Sequence, residues 1–123
     1  MKLTLFQYIN ELEKALTENG IEVAKTSHRL GFQPDLIFYN KDGEMIAVEV
    51  KDAKSYGELP LSTAIHLRNL KELYSNVVLV SLSDISPPLL SSLDSIGVKH
   101  LIKPASAKDA GARLANMHLN QAI

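Results

Sequence analysis

The stretch from Gln33 to Lys54, QPDLIFYNKDGEMIAVEVKDAK, constrains this chain more than any other part of it. Lys41-Asp42-Gly43 separates two runs rich in apolar side chains, and Asp-Gly in that setting signals a hairpin because both residues tolerate positive φ. The two runs are therefore expected to be antiparallel neighbours. Side chains alternate along a strand, so Ile46, Val48 and Val50 should share one face and Ala47, Glu49 and Lys51 the other, one greasy and one charged. On the first run Asp35, Ile37 and Tyr39 should oppose Leu36 and Phe38. Pro34 stands at the strand entrance, where its missing N–H removes no ladder bond. Asp35, Glu49 and Lys51 are all far from the turn, so pairing should gather two carboxylates and an ammonium at one end of the hairpin.

The remainder of the chain reads as support for that hairpin. Leu5, Phe6, Ile9, Leu12 and Leu16 recur at helical spacing between Thr4, a cap, and Gly20, a stop. Ile21 to Thr26 alternates like a half-buried strand, and Ser27 to Gln33 is a loop. Leu61 to Tyr74 is expected to be a helix with Leu61, Ile65, Leu67, Leu70 and Leu73 on its apolar stripe. Val77 to Leu82 is a continuous apolar run, the pattern of a strand buried on both faces. Pro87-Pro88 opens a short helix that ends at Gly97, Val98 to Ile102 is a strand, and Ala107 to Asn120 is a last helix. The order α-β-β-β-α-β-α-β-α predicts an α/β fold, an antiparallel hairpin extended by parallel crossover units into a mixed sheet flanked by helices. At 123 residues the chain, 1–123, is expected to be a single domain.

Composition narrows the function classes. A formal charge of −1 gives no global basic field, so any nucleic-acid contact must come from a local patch. The absence of cysteine excludes disulfides, thiolate metal sites and a cysteine nucleophile. The start, MKLTLFQYINELEK, has no signal-peptide core and no run is long enough to span a bilayer, so a cytoplasmic protein with no membrane partner is expected. His28 and Arg29, in the loop before the hairpin, are candidates to touch phosphate.

Pro34-Asp35 followed by Glu49-Val50-Lys51 at the end of the next strand resembles the PD-(D/E)xK nuclease superfamily. The order helix, strand, motif hairpin, helix, strand over roughly Leu5 to Leu82 matches that superfamily's core as well. Small archaeal Holliday-junction resolvases and restriction-endonuclease-like proteins look most similar. The resemblance implies a restriction-endonuclease-like fold and a Mg²⁺-dependent endonuclease, with Mn²⁺ as a substitute, that hydrolyses DNA to leave a 5′-phosphate. RNA is not excluded as a substrate. It further implies that Asp35 and Glu49 ligate the metal, that the Val50 carbonyl adds a ligand, and that Lys51 positions or activates the attacking water. For the acidic residue the superfamily often carries on its first helix, Glu11 is favoured and Glu13 is an alternative. His66, on the helix after the motif, is the nearest candidate for a polar residue facing the site, and with Lys54 it joins His28 and Arg29 as a nucleic-acid contact.

The chemistry is coherent on its own terms. Splitting a phosphodiester requires charge neutralisation at the phosphate oxygens and an in-line nucleophile, and a hard cation on carboxylates serves both. Taken alone, a Glu-x-Lys at a strand end is usually a solvated pair worth less than about 1 kcal/mol; Pro-Asp at the matching spacing is what raises it to a candidate site. The alternative is a catalytically inactive nuclease-fold module that binds nucleic acid, or an assembly subunit using Leu89 to Ile123 as an interface. A near-neutral chain this small needs two copies for a useful footprint, so a homodimer is expected.

Overall fold

Thr4 starts the first helix by a reciprocal cap: its hydroxyl accepts from the Gln7 N–H at 3.1 Å, and the Gln7 side chain accepts from the Thr4 N–H at 2.9 Å. The computed structural model describes residues 3–24, 34–53 and 57–118. From that cap α1 runs Leu5–Glu18 and buries Tyr8, Leu12, Ala15 and Leu16 along one stripe. Next come β1 (Glu22–Ala24), β2 (Leu36–Tyr39), β3 (Met45–Lys51), β4 (Glu58–Leu59), α2 (Thr63–Leu73), β5 (Val77–Ser81), β6 (Asp84–Ile85), α3 (Pro87–Ile96), β7 (Lys99–Ile102) and α4 (Ala107–Ala115).

Five strands form one sheet in the order β1-β2-β3-β5-β7. The first two pairings are antiparallel, and β3–β5 and β5–β7 are parallel. This is the mixed sheet that a hairpin followed by crossover helices requires. The two-residue strands β4 and β6 pair separately in parallel, which amends the expected element order. Two residues are too few to show a period of two, and each pair runs straight into a proline-containing turn or cap.

Two cores lie on opposite sides of the sheet. Leu36, Phe38, Ile46, Val48, Val50, Val78, Val80 and Leu101 meet α1 and α4 on one face. Ala47, Val77 and Leu79 meet α2 and α3 on the other. The alternation expected of β2 and β3 is therefore present, but the face carrying Glu49 is not a solvated charged surface. The second helical layer covers it and leaves Glu49 only 4% exposed. β5 is buried at every residue, as its continuous apolar run implies.

Several local expectations change. The hairpin turn is not a pair of positive-φ residues. Gly43 alone takes φ 80, and Asn40 Oδ1 adds to the backbone bonds that close the turn by accepting from Asp42 N–H at 3.0 Å and Glu44 N–H at 2.9 Å. α2 begins at Thr63 and buries Ala64, Leu67 and Leu70, while Leu61, Ile65 and Leu73 are exposed. α3 has the expected proline in its first turn and the expected end at left-handed Gly97, and the Ser86 side chain caps its start. α4 stops at Asn116, earlier than Asn120, which lies outside the described residues.

Candidate active site

Because β3, β5 and β7 run parallel, their carboxyl ends form one edge of the sheet, the edge where open α/β sheets present binding groups. Glu49, Val50 and Lys51 are the last three residues of β3. β2 runs the other way and begins at Leu36, which pairs with Val48, so Asp35 arrives opposite Glu49 at the same edge. Both project away from the Leu36–Val48–Val50 core and toward α2. Asp35, Glu49 and Lys51 are thus brought together as their spacing implies.

Proline shapes this corner. Continuing the register places Pro34 opposite Val50, and Pro34 has no N–H to offer the Val50 carbonyl. The Val50 N–H, on the same side, donates instead to Asp35 Oδ2 at 2.8 Å. One strand end therefore carries a carboxylate fixed by a backbone amide and a carbonyl that β2 does not serve.

Glu49 is electrostatically strained. Burial, then its hydrogen bond with Asp35 and the Asp35 charge, push its carboxyl from the ordinary 4.5 up to about 9, against the opposing pull of Lys51. Its Oε2 is in contact with His66 Nε2, from the first turn of α2. Burial lowers the His66 pKa and Lys51 lowers it further, with Asp35 opposing. Both directions favour the neutral form of each partner in this contact. Half-buried Lys51 is the cationic member of the group.

Beyond β3, Ser83 Oγ donates to Asp52 Oδ1 at 2.7 Å and accepts from the Ala53 N–H at 2.9 Å. These bonds tie the segment leaving Lys51 to the end of β5. Ser83 and Asp52 did not stand out in the sequence; the polar break Ser81-Leu82-Ser83-Asp84 after an apolar run was the available signal.

No family model, no curated protein and no solved structure matches this chain. The geometry alone therefore speaks for the site.

Glu11 is not brought to it. It is exposed on α1 and lines a surface groove with Lys14, Glu18 and Lys108 of α4, because α1 packs on the sheet face opposite Glu49. Glu13, the alternative, also lies on α1. His66 is at the site, but it meets Glu49. His28, Arg29 and Lys54 lie outside the described residues. No helix among the described residues is long and apolar enough to cross a membrane.

Among the described residues no three His, Cys, Asp or Glu side chains form a group able to hold a metal ion unaided. The donors present are two carboxyl groups and a backbone carbonyl, all hard oxygens. That set suits Mg²⁺, which binds through one or two carboxylates and keeps several waters. Asp35 and Glu49 face each other at this strand end, and a cation there would relieve the repulsion that helps to raise the Glu49 pKa.

Proposed function

We propose that this chain is a metal-dependent endonuclease of the PD-(D/E)xK type, with a restriction-endonuclease-like arrangement, acting on phosphodiester bonds in DNA. The observation that carries the reading is the meeting of Asp35 and Glu49 at one strand end, with Lys51 two residues further along the same strand. Asp35, Glu49 and the Val50 carbonyl would hold Mg²⁺ or Mn²⁺. When bound, such a cation supplies Lewis acidity to the phosphate oxygens and to water.

The chain's own residues supply the rest. Asp35, fixed by the Val50 amide, keeps the carboxyl pair in register with the strand end. Lys51 places an ammonium beside that pair, where it offsets the negative charge that grows on the phosphate in the transition state and orients the attacking water. α2 covers the Glu49 side of the sheet and limits water there, which strengthens each of these interactions. RNA remains a competing substrate, and a homodimer would give so small a chain a longer footprint.

Cleavage of supercoiled, linear and branched DNA and of RNA, in Mg²⁺, Mn²⁺ and chelator, tests the reading. Metal-dependent cleavage that falls roughly 10²-fold or more in Lys51→Ala supports it. Cleavage unaffected by Lys51→Ala removes the assigned role of that residue.

The His66 contact that occupies one oxygen of buried Glu49 favours one second reading, a nuclease-like module that binds nucleic acid without cutting it. Retention of labelled DNA with no product in either metal would select that reading.

A further inference from the structure

We propose that His66 is a positioning residue that dictates which oxygen of Glu49 meets a cation, and thereby favours a small octahedral cation over Ca²⁺. This rests on the metal-site reading above. Glu49 points from β3 into the layer beneath α2, and its Oε2 is taken by His66 Nε2. The ring cannot drift far, because Leu67 and Leu70 of the same helix are fully buried against the sheet and anchor α2 there.

Asp35 is engaged in the same one-sided way, its Oδ2 accepting from the Val50 N–H at 2.8 Å. Glu49 Oε1 and Asp35 Oδ1 are the oxygens those two contacts do not use. A carboxylate with one oxygen tied inside the protein ligates through the other alone. Mg²⁺ and Mn²⁺ accept single-oxygen donors in an octahedral shell, whereas Ca²⁺ takes six to eight oxygens and commonly draws both from one carboxylate. His66 therefore acts through Glu49 rather than on nucleic acid, and the site's preference among cations follows from that contact.

The test is calorimetric titration of the full chain with Mn²⁺ and, separately, with Ca²⁺, in wild type, His66→Ala and His66→Gln. A Glu49 carboxylate holding a cation is ionised and accepts from the ring Nε2–H, and the glutamine amide nitrogen can donate in that place. His66→Ala should weaken Mn²⁺ roughly 10- to 100-fold, the usual effect of losing such an outer partner, while Ca²⁺ affinity holds or rises. His66→Gln should restore the wild-type Mn²⁺-to-Ca²⁺ ratio. If His66→Ala does not fold, His66→Asn, too short to reach Glu49, carries the same expectation. An unchanged ratio in the folded variant, or equal losses for both cations without rescue by glutamine, overturns the positioning role and leaves the metal site standing. A wild type that takes up neither cation overturns the metal-site reading and this inference with it.

Discussion

The Val50 N–H donates to Asp35 Oδ2 at 2.8 Å, in the ladder position that Pro34 would otherwise occupy. A side chain thus completes the backbone pairing where the strand ends. Two substitutions separate that structural duty from the charge. Asp35→Asn retains an acceptor for the amide and removes one of two facing carboxyls, so in chelator it should be as stable as wild type or slightly more so. Asp35→Ala leaves a buried N–H without that acceptor and should lose about 1–3 kcal/mol. With millimolar Mn²⁺ the wild type should gain thermal stability, by about 2.7 kcal/mol at a hundredfold excess over Kd, and Asp35→Asn should gain little. Equal metal-induced shifts in wild type and Asp35→Asn would remove Asp35 from the metal site.

Tyr8 carries a hydroxyl with no hydrogen-bond partner among the described residues, and burial first and Asp109 second raise its pKa to about 12. The ring packs in the α1–α4 core. Tyr8→Phe keeps the packing and deletes the unserved group, so denaturant unfolding should show a gain of about 1 kcal/mol. A loss would mean that the hydroxyl has a partner in solution.

Gly111 sits inside α4, where alanine would be favoured by about 1 kcal/mol on helix propensity alone. A β-carbon there would collide with Ala15 of α1. The glycine therefore sets how closely the two helices approach. Gly111→Ala should destabilise by about 1–3 kcal/mol, the usual effect of overpacking, and a stabilised variant would show that the helices part easily.

How much of this was legible depends on what a one-dimensional pattern contains. Asp35 meeting Glu49 follows from a hairpin register counted outward from Gly43, and that holds even though Asn40, not a second positive-φ residue, shapes the turn. The ends of α3 were legible because Pro87 and Gly97 act locally. Periodicity does not say which helix covers which face. The charged face of β3 gave no sign that α2 would bury Glu49, Ile65 and Leu73 read as part of the apolar stripe although Ala64 holds the buried position, and Glu11 read as the helix acid of the site although α1 packs on the other face. The Ser83–Asp52 bond joins residues 31 apart, beyond any local signal.

The state of Glu49 predicts how stability follows pH. Its carboxyl titrates at about 9 in the fold against 4.5 ordinarily, so between those values the folded chain holds a proton that the unfolded chain has released. Stability must fall as pH rises wherever the folded state binds more protons. In chelator, the contribution of Glu49 is full below its ordinary range and is lost as pH climbs toward about 9. Glu49→Gln retains a neutral group beside His66 and has no proton to lose. The melting temperature of wild type relative to Glu49→Gln should therefore decline steadily across that window. A difference that stays flat with pH would show that Glu49 is already ionised in the folded chain, and that Lys51 outweighs burial and Asp35 at this strand end.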